Sequence, residues 1–289
     1  MAVAKTKIKK KTSLGDKVFG VFNTIFMIMF VIVILYPIWY IIASSFSGVF
    51  QHEYELKDVL LLKHFSLQNF KDFFSDIQLN GVMINTIIRT VVGTVIGVTA
   101  NAWLAFILSR KEFRFRRQLS FFWVITIYLE CGIIPTLDLY QKLNLTESFW
   151  VYIIPGIISG LYVIVMRTYM NQISESMIDE AKMDGASYTQ IFTKIVSPIC
   201  KPIYATVALY IASFHWNAWF DCMLYNRTQI KYRTLGYEIF SSWIMCNCCG
   251  TPIGIRETLM LIGIVPMILL SIFLQKHCVT SVEDLVVKE

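Results

Sequence analysis

Six long apolar segments limit what this 289-residue chain can fold into. Each is about 20 residues long, which is the length that an α-helix needs to cross roughly 30 Å of hydrocarbon. The chain is 56% apolar and only 16% charged, and alternating β-barrel strands are not seen. The sequence therefore predicts an all-α, multi-pass membrane protein with six transmembrane helices. The segments cover approximately Phe19–Phe46, Gly81–Ser109, Leu119–Leu137, Phe149–Arg167, Ile199–Leu224 and Thr258–Leu274.

Lysine and arginine residues predict which side of the membrane each loop faces, because they are enriched in cytoplasmic flanks. Six lysines lie between Lys5 and Lys17, and Arg110–Arg117 holds five basic residues. The loop Ser47–Asn80 has three lysines against five acids. In a six-span arrangement both basic segments and both termini are cytoplasmic. The net charge of +6 lies mainly in these flanks and is explained by contact with anionic lipid headgroups. We therefore expect the chain to bind the lipid bilayer and not nucleic acid.

These segments divide the chain into five parts. Residues 1–18 form a basic cytoplasmic tail, 19–46 the first transmembrane helix, and 47–80 an external segment with a short surface helix near Phe65–Phe70. Residues 81–275 form a core that contains the cytoplasmic loop 168–198, and 276–289 form a cytoplasmic tail. In the last external loop, a Cys246–Cys249 disulfide and free thiols are both compatible with the sequence. Three thiols without a nearby histidine make a poor zinc site, so no metal is predicted.

A polar run between the fourth and fifth apolar segments has the features of two helices joined by a glycine. Ser174 is a suitable N-cap residue, and acidic residues from Glu175 to Glu180 lie near the positive end of the helix that follows. Gly185 predicts a stop or sharp bend, and a second helix runs to Pro198. We call this helix–Gly185–helix segment the elbow. It suits a groove on a cytoplasmic partner, and the alternative is an amphipathic surface helix without a partner.

The elbow resembles the coupling motif of the permease subunits of ATP-binding-cassette (ABC) importers. That motif reads Glu-Ala-Ala, three residues, Gly, nine residues, Ile, one residue, Leu-Pro. The matching positions here are Asp179-Glu180-Ala181, Gly185, Ile195, Ser197 and Pro198. Asp179, Glu180 and Ser197 depart from the motif, and the spacing is kept. The resemblance implies a role in coupling to an ATPase for Asp179, Glu180, Ala181, Lys182, Asp184, Gly185 and Pro198.

The resemblance also implies what individual residues of the elbow do. Lys182 and Asp184 are expected to make charged contacts at the rim of the docked helix. Pro198 is expected to end the return helix before the fifth span. ATP-driven closure of the ATPase would then pull on the elbow and rock the helix bundle between inward-open and outward-open states.

Other segments resemble the carbohydrate branch of these permeases. Lys182–Ala186 is similar to the Arg-Ile-Asp-Gly-Ala of that branch, and His215–Asp221 is similar to the His-Trp-Asn-Ser-Trp-Phe-Asp segment of polysaccharide and lipoprotein-associated permeases. Similar stretches lie within Asn85–Thr94, Gly132–Gly156 and Glu257–Lys276. The resemblance implies a type I ABC importer permease fold in the bacterial plasma membrane. It also implies a second homologous permease, two ABC ATPase subunits, an extracellular solute-binding protein, and an oligosaccharide or polysaccharide fragment as cargo.

No catalytic site is predicted in this chain. It has no Walker A sequence, no Ser-His-Asp order and no metal-ligand pair. ATP and Mg²⁺ are therefore expected in the partner ATPase, and no cofactor is expected here. The carboxylates within the apolar segments support one rival hypothesis, a stand-alone secondary transporter driven by an ion gradient.

Polar side chains at membrane depth are candidates for a substrate path, since they are costly unless they line water or pair internally. Aromatic rings stack on the CH faces of sugars, and amides and carboxylates bond sugar hydroxyls. Helical spacing predicts one face with His215, Trp219 and Cys222, and another with Asn217 and Asp221. Two interpretations stay open: a sugar-facing surface, or an aromatic belt that packs against the partner permease. The candidate path residues are Glu130, His215, Trp216, Asn217, Trp219 and Asp221.

Two predictions concern other polar residues of the apolar segments. Glu130 is expected to pair with Arg89 or to lie at a solvated cavity edge. Asn101 is expected to form hydrogen bonds to another helix rather than to a ligand.

Overall fold

The computed structural model of the protein describes residues 14–47, 60, 62, 65–129, 131–244 and 253–286. Every regular element in these ranges is helical, and one antiparallel bridge pairs Ser47 with Phe65. Glu130 and the candidate disulfide Cys246–Cys249 lie outside the described residues. The α-helices are α1 Leu14–Ser45, α2 Gln68–Ser75, α3 Ile77–Ser109, α4 Arg116–Tyr128, α5 Ile133–Lys142, α6 Gly160–Met170, α7 Glu175–Met183, α8 Tyr188–Gln190, α9 Ser197–Ile199, α10 Lys201–Asn217, α11 Phe220–Tyr225, α12 Leu235–Ile244 and α13 Ile253–Val286.

Three helices of the described chain are long and apolar enough to cross a membrane without interruption. They cover Lys17–Ser45, Ile77–Ser109 and Gly254–Phe273, and they correspond to the first, second and sixth predicted segments. Three further candidates are pairs of helices joined at a bend, and six spans result if each pair crosses once. The pairs are Arg116–Tyr128 with Ile133–Lys142, Phe149–Gly156 with Gly160–Met170, and Tyr188–Ile199 with Lys201–Asn217.

The third, fourth and fifth predicted segments are each interrupted rather than continuous helices. In the third, Gly132 has a φ of +81°, which few other residues adopt, and the chain turns before α5. In the fourth, Phe149–Gly156 forms 3₁₀ turns and α6 begins only at Gly160, because Pro155 has no N–H for an α-helical hydrogen bond. In the fifth, the extended backbone of Ala218 separates α10 from α11.

The helix α3 is the centre of the described bundle, and it packs against α10 and α6. Small residues allow the close approach: a Cβ placed on Gly93 would lie 2.4 Å from His215 Nε2. Asn101 of α3 donates to Ile157 O at 2.8 Å and accepts from the Ser159 N–H at 3.0 Å. It therefore satisfies backbone groups that the break before α6 leaves open. Asn101 thus bonds the fourth predicted segment, as predicted, although at the break before α6 and not within a helix.

The helices α1 and α2 lie at the edge of the bundle. α1 packs chiefly against α13, and its described side chains between residues 17 and 39 are exposed. α2 begins at Gln68, inside the segment Phe65–Phe70 predicted as a surface helix, and continues to Ser75. It buries Phe73 against α3 and α13. Asn69 of α2 donates to the carbonyl oxygens of Ser45 at 3.1 Å and Ser47 at 2.9 Å. These bonds fix the end of α1 against the rest of the chain.

Candidate functional site

The bend that Gly185 predicts is present in the elbow. α7 ends with the Ala186 N–H donating to Ala181 O at 3.0 Å and the Gly185 N–H donating to Lys182 O at 2.9 Å. This pair of bonds is the Schellman arrangement, which requires a left-handed residue directly after the helix. Gly185 supplies it with a φ of +80°. The turn is therefore specified by one glycine and two backbone hydrogen bonds.

The second arm of the elbow begins with a capping box. The Ser187 N–H donates to Gln190 Oε1 at 2.8 Å, and Ser187 Oγ accepts from the Gln190 N–H at 3.4 Å. A π-helical turn over Ile191–Val196 and the short α9 follow, and the chain then bends by 82° into α10. Pro198 lies inside α9, directly after the π turn, where the α-helical hydrogen-bond pattern is already interrupted. The return helix thus ends at Ile199, one residue beyond the predicted end at Pro198, and Cys200 is its C-cap.

The elbow has a buried inner face and an exposed outer face. Ile178 of α7 and Ile191 and Phe192 of the return arm are buried in an apolar cluster with residues of α3, α6 and α10. Asp179, Glu180, Asp184 and Pro198 are exposed, and Ala181 and Lys182 are half-buried. Met183, at the end of α7, is 88% exposed. The outer face is therefore open to contact, and the inner face holds it on the bundle.

The basic loop between α3 and α4 holds the elbow through ion pairs. Lys111 Nζ lies 2.7 Å from Glu175 Oε2, and the Glu112 carboxylate accepts hydrogen bonds from both Lys182 and the Tyr188 hydroxyl. The hydrogen bond from Lys182, with that from Tyr188, holds the pKa of the Glu112 carboxyl below its usual value. The same bond raises the pKa of Lys182. Both groups therefore stay charged near neutral pH.

Glu112 was not among the residues predicted from the sequence to have a role. A signal was available, because Glu112 is the one acid among the five basic residues of Arg110–Arg117. Lys182 also lies 3.2 Å from Asp179. Lys182 thus bonds residues of its own chain, and its contact with a partner stays a prediction.

A buried ion pair joins α3 to α11. Arg89 is fully buried, and its Nη1 donates to Asp221 Oδ1 at 3.1 Å while Nη2 bonds the other carboxylate oxygen. The guanidinium carbon lies 4.5 Å from the centroid of the Tyr152 ring, and Nε donates to His215 Nδ1 at 3.5 Å. The planar arginine fork matches two carboxylate oxygens. Arg89 is therefore paired with Asp221. Glu130, expected to pair with Arg89 or to lie at a solvated cavity edge, is outside the described residues.

The predicted shared face of His215, Trp219 and Cys222 is wrong. A continuous helix was assumed, but α10 ends at Asn217 and α11 begins only at Phe220. His215 is buried against Gly93 of α3, while Trp216 Nε1 donates to Gly263 O of α13 at 2.8 Å. Two adjacent side chains therefore pack on opposite sides of α10.

The other candidate path residues also have partners within the chain. Trp219 stacks on Phe240 with ring centroids 3.9 Å apart. The Asn217 amide donates to Ser213 O in its own helix at 2.9 Å. The carboxylate of Asp221 bonds Arg89 and also accepts from the Cys222 N–H at 2.8 Å. The structure therefore brings His215 and Asp221 together around Arg89 and separates them from the tryptophans.

Two cavities lie on either side of this segment. The first, the His215 cavity, has a volume of about 400 Å³ and is lined by His215, Trp123, Tyr162, Phe214 and the backbone of the break before α6. The second, the Trp219 groove, has a volume of about 980 Å³ and is mostly apolar. Trp216, Asn217 and Trp219 line the groove together with Phe240, Trp243 and residues of α13.

Comparisons with known proteins agree with this architecture. No protein-family model matches the chain. It is 28% identical over 264 residues to the polygalacturonan/rhamnogalacturonan transport system permease protein YtcP of Bacillus subtilis, covering 87% of this chain and 92% of that protein. It is 28% identical over 280 residues to protein LplC of the same organism, covering 91% of this chain and 92% of LplC.

A solved structure shares the fold over nearly the whole chain. It is a chain of a bacterial ABC transporter involved in the import of the acidic polysaccharide alginate. The TM-score is 0.81 at 26% identity, and the match covers 93% of this chain and all of the other. This protein is therefore a homologue of the permeases of carbohydrate ABC transporters, which are integral, non-catalytic proteins of the plasma membrane.

Proposed function

We propose that this chain is a permease subunit of an ATP-driven ABC importer and that it moves an oligosaccharide or polysaccharide fragment across the plasma membrane. The elbow is the observation that supports this most directly. It combines a left-handed Gly185, a buried apolar inner face and an exposed polar outer face. A partner ATPase that grips the outer face would transmit its movement to the bundle through the inner face.

The proposal includes six membrane spans with both termini in the cytoplasm. The bent helix pairs would supply the third, fourth and fifth spans. The contact between Lys111 and Glu175 supports the orientation, because it joins the basic loop after α3 to the elbow. Basic loops are enriched on the cytoplasmic side, so the elbow would face the cytoplasm, where an ATPase is.

The complete transporter would contain three further kinds of subunit. A second homologous permease would complete the path, and two ABC ATPase subunits would bind ATP and Mg²⁺. An extracellular solute-binding protein would deliver the sugar to the outer loops. Closure of the ATPase pair would move the elbow and shift the bundle between two rigid-body arrangements.

We assign the sugar-facing surface to the His215 cavity rather than to the Trp219 groove. Among the described residues, the indole N–H of Trp123 and the hydroxyl of Tyr162 make no hydrogen bond, so both are available to sugar hydroxyls. Their rings, with Phe214, supply faces for the CH groups of a sugar. The Trp219 groove is mostly apolar and its Trp219–Phe240 stack is already formed. Both features suit the alternative, an aromatic belt that packs against the partner permease.

The names of the relatives support a carbohydrate cargo. YtcP is named for polygalacturonan and rhamnogalacturonan, and the transporter of solved structure is involved in alginate import. An oligosaccharide or polysaccharide fragment is therefore the cargo that we propose.

Affinity purification of the tagged chain from mildly solubilised native membranes tests the proposed function. Mass spectrometry is expected to find a second permease, an ABC ATPase and a solute-binding protein, and that binding protein can be screened for its sugar. Recovery of the chain alone, under conditions that preserve a known importer, would support the stand-alone transporter instead. Uptake that continues after the catalytic carboxylate of the ATPase is removed would also support the stand-alone transporter.

If the sugar binds in the His215 cavity, Trp123→Ala is expected to weaken its uptake, because Trp123 lines that cavity. Loss of one aromatic stacking surface removes about 1 kcal/mol, so half-maximal uptake is expected to need roughly fivefold more sugar. The measurement is uptake by the reconstituted complex of the sugar that its binding protein selects. The matched control is Trp243→Ala, which removes an exposed tryptophan from the Trp219 groove. Equal effects of the two substitutions would contradict the assignment of the sugar to the His215 cavity.

A further inference from the structure

We infer that Glu112 is a positioning residue that fastens the elbow to the α3–α4 loop, so that movement of the elbow reaches α3 and α4. The inference rests on the proposed function, because it assumes that an ATPase moves the elbow. It concerns a residue outside the coupling motif, on the loop that faces the motif. Three observations carry it: the contacts of Glu112, the space beside them, and the shortness of the loop.

One carboxylate holds both arms of the elbow. Glu112 accepts a hydrogen bond from Lys182, in α7 before the Gly185 bend, and another from the Tyr188 hydroxyl, in α8 after it. Lys182 Nζ also lies 5.7 Å from the centroid of the Tyr188 ring. The three side chains therefore form a closed group that spans the bend. A change in the angle between the two arms would therefore either break the hydrogen bonds of Glu112 or move Glu112 together with the arms.

The space beside the group is not filled by packing. A cavity of about 300 Å³ lies between the loop and the return arm, lined by Trp103, Phe106, Phe113 and Tyr188 among others, and Glu112 stands at its edge. Apolar packing alone therefore does not fix the distance between the loop and α8. The polar bridge of Glu112 is what joins the two across the opening.

The stability of the fold does not explain the arrangement. Exposed ion pairs contribute about 0.2–1 kcal/mol each, and the Glu112 side chain is 54% exposed. The two ion pairs instead fix the position of α7 relative to the loop. Lys111 pairs with Glu175 near the start of α7, and Glu112 pairs with Lys182 near its end. The loop is thus attached to α7 at two points.

The loop passes movement on because it is short. α3 ends at Ser109 and α4 begins at Arg116, so few residues are present to absorb a displacement. α3 in turn carries Arg89 and Asn101, which bond α11 and the break before α6. A shift of the loop would therefore displace α3 and with it the hydrogen bonds that Arg89 and Asn101 make to the rest of the bundle.

The test measures whether ATP still moves the far end of α4 in the complete reconstituted complex. Cys131 lies just beyond α4 and is exposed, whereas Cys200 and Cys222 are buried. With Cys246, Cys248, Cys249 and Cys278 changed to serine, the rate of Cys131 labelling by a water-soluble maleimide is measured with and without ATP plus vanadate. ATP hydrolysis is measured on the same preparations without vanadate.

Glu112→Ala is expected to keep the ATPase subunits in the complex and their hydrolysis rate within about twofold, while the ATP-dependent change in labelling falls at least threefold. Glu112→Ala combined with Lys182→Ala is expected to lose no more than the worse single variant, since residues that act together are not additive. The control is Arg114→Ala, in the same loop, whose side chain makes no ion pair among the described residues.

Three results would overturn the inference. An unchanged labelling response in Glu112→Ala would show that the bridge transmits nothing. Loss of the ATPase from the purified Glu112→Ala complex would assign Glu112 to docking instead. A complex of unsubstituted Glu112 that hydrolyses ATP without any change at Cys131 would show that elbow movement does not reach α4. Failure of the proposed function is recognised separately, because then no ATPase is recovered with the unsubstituted chain.

Discussion

Replacing Asp221 with alanine is expected to destabilise the folded protein by about 3 kcal/mol, because the substitution leaves a buried guanidinium without its counter-charge. Arg89 of α3 is fully buried beside Tyr152 and His215. The side chain of Asp221 keeps 23% exposure, which places the effect at the lower end of the range for breaking a buried pair. The measurement is thermal unfolding of the purified chain in detergent, where a fall of roughly 5–10 °C is expected.

A double variant separates charge from packing. Arg89→Met with Asp221→Leu removes both charges and keeps similar volume, and replacing both members of a buried pair in this way is often neutral. It is therefore expected to melt closer to the unsubstituted chain than Asp221→Ala does. If the double variant is as unstable as the single one, packing around Tyr152 is the cause. If Asp221→Ala melts like the unsubstituted chain, the pair has no structural role.

Replacing Gly185 with valine is expected to abolish coupling while the chain still enters the membrane. Gly185 has a φ of +80°, and a left-handed conformation costs an ordinary residue about 1–2 kcal/mol and a β-branched one more. No atom lies within 4 Å of a Cβ placed there, so the effect comes from the backbone and not from crowding. ATP-dependent uptake by the complex is expected to fall at least tenfold.

The matched control for this prediction is Gly185→Asn. Asparagine adds a side chain but accepts the left-handed conformation that ends many helices. It is expected to keep most of the uptake, and Gly185→Ala is expected to lie between Asn and Val. Equal loss in the Asn and Val variants would mean that the partner touches this position directly. Normal uptake with valine would contradict the alignment of Gly185 with the coupling motif.

The features that the sequence predicted correctly are those that depend on short stretches of chain. The length and apolarity of a segment determine whether it forms a buried or membrane helix, so α1, α3 and the described part of α13 were found where expected. Gly185 and its distance from Asp179 similarly identified the elbow. The interruption before α5 also has a local cause in Gly132.

The features that the sequence did not predict depend on contacts between distant residues. Ala218 favours helix, and neither glycine nor proline precedes it to predict the break there. The break instead follows from the neighbouring chain: Thr234 Oγ1 donates to Ala218 O at 3.4 Å, and a Cβ on Gly236 would lie 3.0 Å from the same oxygen. The pairing of Arg89 with Asp221 spans 132 residues, and no periodicity within one segment reveals such a partner.

The π turn at Ile191–Val196 gives the return arm an unusual tolerance to changes in chain length. A π turn holds one residue more than the α-helical turn that it replaces, so a one-residue deletion there can be absorbed by conversion to α-helix. In an ordinary helix the same deletion rotates everything beyond it by about 100°. Over evolutionary time the chain can therefore lose a residue between Gly185 and Pro198 without turning the outer face of the elbow. A search that demands a fixed glycine-to-proline spacing would miss such a chain, although the outer face of its elbow would be unchanged.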